Sequence, residues 1–146
     1  MPFIKQMNYT YDTLEIGQHF AMKRTLSMEE VRIFAQVTGD DNPIHVDYEY
    51  AQNTPFGKPI VHGVFLMGLV SKALGRDFPG HGSVAVSIET KFLRPVAVGE
   101  EVTIEIEVLE KLPRNQVKVR TAGYIVVRDR KKIAFDGSAV LIPPTE

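Results

Sequence analysis

The sequence predicts an α+β chain in which a curved antiparallel sheet wraps one central buried helix. Three observations carry this expectation. Residues 62–74 are apolar on nearly every side, through Val64, Phe65, Leu66, Met67, Leu69, Val70, Ala73 and Leu74, and a helix apolar all round is expected to be buried all round. Residues 82–142 read almost wholly as strands with apolar and polar residues alternating, the pattern of an antiparallel sheet covered on one face. The chain has 146 residues, 44% of them apolar and 24% charged, which suits one continuous core. One domain over residues 1–146 is therefore expected, with no internal repeat or linker.

The elements follow in order. Phe20 to Thr25 reads as a strand leading into a helix. Ser27-Met28-Glu29-Glu30 fits a capping box, in which the Ser27 hydroxyl and the Glu30 carboxylate satisfy orphan backbone N–H groups. Val31, Phe34, Ala35 and Val37 give that helix an apolar stripe as far as Thr38. Gly39 stops it by supplying a residue free to take left-handed geometry. Asp40 to Val46 is expected to be irregular, because Pro43 removes a donor and pushes Asn42 toward extended geometry. Asp47 can cap a short helix over residues 48–51. A loop with Pro55 and Pro59 precedes the central helix, which would be roughly 20 Å long over residues 62–74 and be closed by Gly75.

The strands come next. Ser83 to Val96 places Val84, Val86, Ile88 and Phe92 on one face and Ser87, Glu89 and Lys91 on the other. Glu101 to Leu109 sets Val102, Ile104, Ile106 and Val108 against Thr103, Glu105 and Glu107. Gln116 to Val127 and Lys132 to Ile142 complete a meander, joined by turns at residues 95–99, 112–115 and 128–131.

Composition excludes several classes of function. With no cysteine there is no disulfide scaffold, thiolate nucleophile or Cys-ligated metal site. Seventeen Lys+Arg against 18 Asp+Glu, a formal net charge of -1, argue against a protein built to grip nucleic acid. The apolar run from Ile60 to Leu74 is broken by His62, Ser71 and Lys72 and is too short to span a bilayer. Met1 to Gln6 lack the pattern of a signal peptide, so the Asn8-Tyr9-Thr10 sequon is not expected to be glycosylated. A small cytoplasmic enzyme or binding module remains. Eight of the Lys+Arg lie between Lys111 and Lys132, either a solvated sheet face or a footprint for phosphates.

The chemistry concentrates in Thr38 to Asp47, where acidic groups, an amide and an imidazole share one turn. Asp40 and His45 are five residues apart across an Asn-Pro turn that can fold both side chains toward one point. A carboxylate and an imidazole converging on one water are what addition or removal of water by general acid–base catalysis requires. Asn42 could orient one of them. Asp and Asn are also ordinary turn formers, and residue types alone leave both readings open. A calcium loop is poorly supported, since residue 44 is Ile and no glycine follows where one is needed. A metal site using His45, His62 and a nearby Asp stays open, but His62 reads more readily as a satisfied structural histidine than as a catalyst. His19 and His81 read as surface or loop residues.

The order Gly39-Asp40-x-Asn42-Pro43-x-His45, followed by Ala51, resembles the MaoC-like dehydratases, in particular the R-specific enoyl-CoA hydratases. The resemblance continues through Pro59-Ile60-Val61-His62-Gly63, Phe92-Leu93-Arg94-Pro95-Val96 and Val98-Gly99-Glu100. It implies a hot-dog fold and a hydro-lyase that adds water, reversibly and syn, across trans-2-enoyl thioesters to give 3R-hydroxyacyl products. Asp40 and His45 would hold the water as the catalytic pair, with Asn42 fixing their geometry. The backbone N–H of Gly63 would bind the thioester carbonyl, where a helix dipole favours negative charge; tight packing of helix on sheet is the other reading of that glycine.

Ser71 and Leu74 would bound the acyl pocket and influence chain length, although the Ser71 hydroxyl could equally return to a helix carbonyl. The same resemblance implies no metal and no cofactor, a substrate carried on coenzyme A or on acyl carrier protein, and a homodimer paired through its sheets. The alternatives are a 3-hydroxyacyl carrier-protein dehydratase of fatty-acid synthesis, a hot-dog acyl-CoA thioesterase and a non-enzymatic acyl-CoA sensor. Thioesterases of this fold generally lack the Asp-x-Asn-Pro-x-His turn, and a sensor needs no matched Asp/His pair.

Overall fold

The computed structural model describes residues 8–146; Met1 to Gln6, read above as no signal peptide, lie outside the described residues. Five antiparallel strands form one sheet in the order β1-β3-β4-β5-β2. They are β1 (His19–Thr25), β2 (Val84–Phe92), β3 (Glu101–Leu112), β4 (Gln116–Val127) and β5 (Arg130–Ile142). The helices are α1 (Met28–Thr38), α2 (Pro43–Val46), α3 (Tyr48–Gln52) and α4 (Gly63–Lys72). This is the hot-dog architecture, with α4 against the concave face of the sheet.

Alternation sets which face each strand buries. Val102, Ile104, Ile106 and Val108 of β3, Val117 and Val119 of β4, and Phe135, Ala139 and Leu141 of β5 form the floor of the core. Leu66, Leu69, Val70, Ala73 and Leu74 come down onto it. Burying a Leu or Val side chain contributes about 1.5–3 kcal/mol, so this interface dominates stability. The outer face carries the charges. Arg120 holds Asp136 through two 3.0 Å hydrogen bonds and Lys131 reaches Glu105 at 2.8 Å, whereas Lys111, paired with the core residue Val117, lies over the Tyr11 ring. Much of the basic cluster is thus a solvated sheet face.

Four expectations need correction. First, α4 is not buried all round: Val64 is 69% exposed, and Gly68, Ser71 and Lys72 share its open side. Second, β2 does not bury one apolar face. A bulge between Ala85 and Ser87 reverses the alternation, because one extra residue turns every later side chain over. Ile88 and Phe92 stand opposite the inward-facing Ala139 and Phe135, whereas Val84 stands opposite the exposed Ile142. Val84, Val86, Ile88 and Phe92 all remain solvent-accessible. Third, Gly75 does not end the central helix, because a π-helical turn carries it over Ala73–Asp77, with Lys72 bonded to Asp77 at 2.6 Å. Fourth, residues 40–46 are not wholly irregular, since Pro43 opens the single turn α2 as an N-terminal residue whose missing N–H costs nothing there.

The first helix forms as read. Ser27 accepts from the Glu30 N–H at 3.2 Å while Glu30 accepts from the Ser27 N–H at 3.1 Å, and Gly39 sits at φ 82° beyond its end. Asn8 ties the chain ends together by donating to the carbonyls of His81 and Glu146. The Ser27 backbone N–H and the Arg24 guanidinium stabilise ionised Glu30 and hold its carboxyl below its ordinary value. A depressed carboxyl stabilises the fold above the unfolded-state pKa and loses that contribution as pH falls through the folded one. Ser27→Ala should cost about 1 kcal/mol, read as a fall of about 3 °C in Tm at neutral pH. The part of that loss carried by the Ser27 hydroxyl donating to the ionised Glu30 carboxylate at 3.2 Å should vanish below the carboxylate range, while the part from Oγ accepting the Glu30 N–H persists at both pH values; a wild-type Tm at neutral pH would contradict the capping account.

Candidate active site

The turn between α1 and α2 is built by its own side chains. The Asp40 N–H donates to Thr38 Oγ1 at 3.2 Å, and the Asn42 N–H reaches Asp40 Oδ1 at 3.4 Å. Asn42 then caps α2, its Oδ1 accepting from the Ile44 N–H at 3.3 Å, while its carbonyl accepts from the His45 N–H at 3.0 Å. Asn42 therefore shapes the Asp40–His45 segment through capping and main-chain bonds.

The second wall is residues 59–63. The Val61 N–H donates to the Val96 carbonyl at 2.8 Å and the Val98 N–H to the Pro59 carbonyl at 3.0 Å, which straps this segment to the chain after β2. The two walls meet at two imidazoles. His45 Nδ1 lies 2.7 Å from the Ile60 carbonyl, and His62 Nε2 lies 3.0 Å from the Asp40 carbonyl. A carbonyl only accepts, so each of these nitrogens carries the proton. His45 is thereby left with Nε2 as its basic lone pair. The two rings stack at 3.9 Å between centroids and 28° between planes, and one side-chain atom from each of Asp40, His45 and His62 falls within 4.8 Å of the others.

That group of two imidazoles and a carboxylate is the arrangement a metal reading needs. Imidazoles ligate through in-plane lone pairs, and rings stacked at 28° direct those pairs side by side rather than at one ion. One nitrogen of each is already spent on a carbonyl. The donor set fits a held water better than a cation. Burial is the main cause pushing the His62 pKa below its ordinary value, with His45 adding to it, so His62 is neutral at physiological pH.

Beside the pair opens a cleft of about 440 Å³ lined by His45, Phe56, Ile60, Gly63, Val64, Leu66 and Phe92 among others. Gly63 is the first residue of α4, and the N-cap His62 makes no side-chain capping bond. The leading N–H groups of a helix have no intrahelical acceptor, so donors at its positive end border an apolar cleft next to the Asp40–His45 pair. Packing also restricts residue 63, because a Cβ there would lie 2.8 Å from the Phe92 ring. The packing reading of this glycine therefore holds. Ser71 and Leu74 lie elsewhere, lining a small cavity of about 50 Å³ with Gly75, Ser83, Ala85 and Leu141. Sequence reasoning gave no role in the site to Phe56 or Phe92 and read His62 as a structural histidine or a metal ligand; the adjacency of His62 to Gly63 was the available clue to more.

The MaoC-like domain model matches residues 12–129. The chain is 43% identical over 132 residues to an (R)-specific enoyl-CoA hydratase of Aeromonas caviae, covering 90% of this chain and 97% of that one. It is 37% identical over 134 residues to a 3-hydroxybutyryl-CoA dehydratase of Methylorubrum extorquens, covering 92% and 83%. The unliganded R-hydratase PhaJ1 from Pseudomonas aeruginosa superposes with a TM-score of 0.89 at 36% identity, over 95% of this chain and 88% of that one. Fold, motif order and these likenesses agree, and the chain belongs to the MaoC-like domain family.

Proposed function

We propose that this protein is a cytoplasmic (R)-specific enoyl-CoA hydratase, a hydro-lyase that adds water reversibly to trans-2-enoyl thioesters. The observation that carries the reading is the Asp40–His45 pair set beside uncapped N–H groups at the start of α4. Water is held between the Asp40 carboxylate and His45 Nε2. The thioester carbonyl accepts from the Gly63 N–H, and the negative charge that develops on its oxygen meets the helix dipole there. His45 takes a proton from the water as its oxygen bonds to the β-carbon. The proton so gained by the Asp40–His45 pair is then delivered to the α-carbon on the same side, which returns both groups to their starting states and leaves one water added. Asn42 acts by holding the turn.

The handle of the thioester has a matching surface. A second cleft shares Phe56, Ile60, Arg94 and Pro95 with the first and adds Lys58 and Arg128. Three cations around an apolar groove suit the phosphates of coenzyme A. The acyl tail would run along the open side of α4 toward Ser71 and Leu74.

The exposed apolar residues of β2 and Val64 support a homodimer, since β2 pairs with β5 and leaves its other edge open. Sedimentation should give twice the chain mass at micromolar concentration, and Ile88→Lys should shift it toward the monomer; a monomeric wild type would refute pairing through this edge.

With crotonyl-CoA, enoyl absorbance should fall without release of free thiol, whereas thiol release would establish hydrolysis instead. Asp40→Asn and His45→Gln should each lower kcat at least about a hundredfold; near-wild-type turnover in either removes that residue from the chemistry. Faster turnover of the enoyl carrier-protein thioester than of the CoA ester would favour the carrier-protein dehydratase. Leu74→Ala should move kcat/KM toward longer enoyl chains, at a stability cost of about 2–5 kcal/mol for the emptied core position. An unchanged chain-length profile would separate Leu74 from the acyl pocket.

A further inference from the structure

We propose that His62 is a positioning residue for the hydration chemistry, one imidazole that carries the Asp40 main chain on its edge and the His45 ring on its face. The inference rests on the hydratase reading above. It starts from a residue with an awkward environment: His62 is 2% exposed, and its Nδ1 is buried without a hydrogen-bond partner among the described residues. An unpartnered buried acceptor is destabilising. Packing alone does not call for it, because Phe34 lies against this ring at 4.6 Å between centroids and also stacks on Phe65 at 4.5 Å. A phenylalanine would fill such an aromatic nest without stranding a polar atom.

What a phenylalanine lacks is the donor on Nε2, and that donor goes to the main chain of Asp40, 22 residues away in sequence. The stacked face goes to His45. One ring therefore touches both members of the pair while reaching neither through its own lone pair. Its neutral state suits this work, because a second positive charge against His45 would oppose protonation of that ring during turnover. His62 also immediately precedes Gly63, so the same residue fixes where α4 begins. Edge, face and chain position together tie the water-holding pair to the carbonyl-binding donor, and displacing a reacting group by about 1 Å can cost about a hundredfold in rate.

Two variants separate the functions of the ring. His62→Phe keeps the stacked face and removes the donor; His62→Gln keeps a donor near the Nε2 position and removes the face. Steady-state hydration of crotonyl-CoA is measured for both beside the wild type, with thermal melts to confirm folding. Each variant should lose about 10- to 100-fold in kcat with KM within about twofold, because either substitution disturbs the acid–base pair through the ring, while the main chain that presents the Gly63 N–H to the thioester is kept. Wild-type kcat in either folded variant, or a loss carried by KM, would overturn the proposal and leave His62 a packing residue. Should one variant fail to fold, the other decides. A wild type that does not hydrate crotonyl-CoA refutes the hydratase reading itself, which is a different outcome from active variants beside an active wild type.

Discussion

The site depends on two imidazole–carbonyl hydrogen bonds, His45 to Ile60 and His62 to Asp40. They run in opposite directions between the same two segments. The first takes a side chain from the turn to the main chain of residues 59–63, and the second takes a side chain from that segment back to the main chain of the turn. Each bond fixes a tautomer and a ring plane, and together they close a small lattice that a single hydrogen bond could not hold. That lattice is anchored in turn to residues 96 and 98 by main-chain bonds, so a surface turn acquires the rigidity of the sheet. Catalysis by general acids and bases needs reacting groups placed to within fractions of an ångström, and a reciprocal tie between two walls supplies that placement.

Much of this was readable in residue types and spacing. Ser27 and Glu30 announce the start of α1, Gly39 its end, and the alternation in Glu101 to Leu109 the buried face of β3. Asp40 and His45 stand out because the residues around them are turn formers and they are the pair able to share a water. What could not be read depends on contacts or on a single extra residue. The bulge at Val86 breaks the period of two on which the reading of β2 rested, so Val84 and Ile88 end on opposite faces. The value of His62 lies in contacts with residues 17 and 22 positions earlier, and no local pattern marks a ring as the partner of a distant carbonyl.

The misreading of α4 is informative in a different way. Its apolar content implied cover on every side, yet the chain covers only the side bearing Leu66, Leu69, Val70, Ala73 and Leu74. Val64, Gly68 and Ser71 line an open side continuous in sequence with the donors that start the helix. One face of the helix therefore holds the core while the other stays open. The apolar, both-sides-open β2 strand shares that condition. Folding and function divide along the helix axis rather than between separate segments, which explains why one short helix combines core leucines with glycines and a serine.

The central claim is that Asp40 and His45 act on one water from one side of the double bond. Hydration of crotonyl-CoA in deuterium oxide, with the configuration at both new centres read by NMR and by a 3R-specific dehydrogenase, tests it most directly. Syn addition of oxygen and deuterium and a 3R-hydroxyl are the expected result. A 3S product, or deuterium delivered to the opposite face, would contradict a single pair working from a single side.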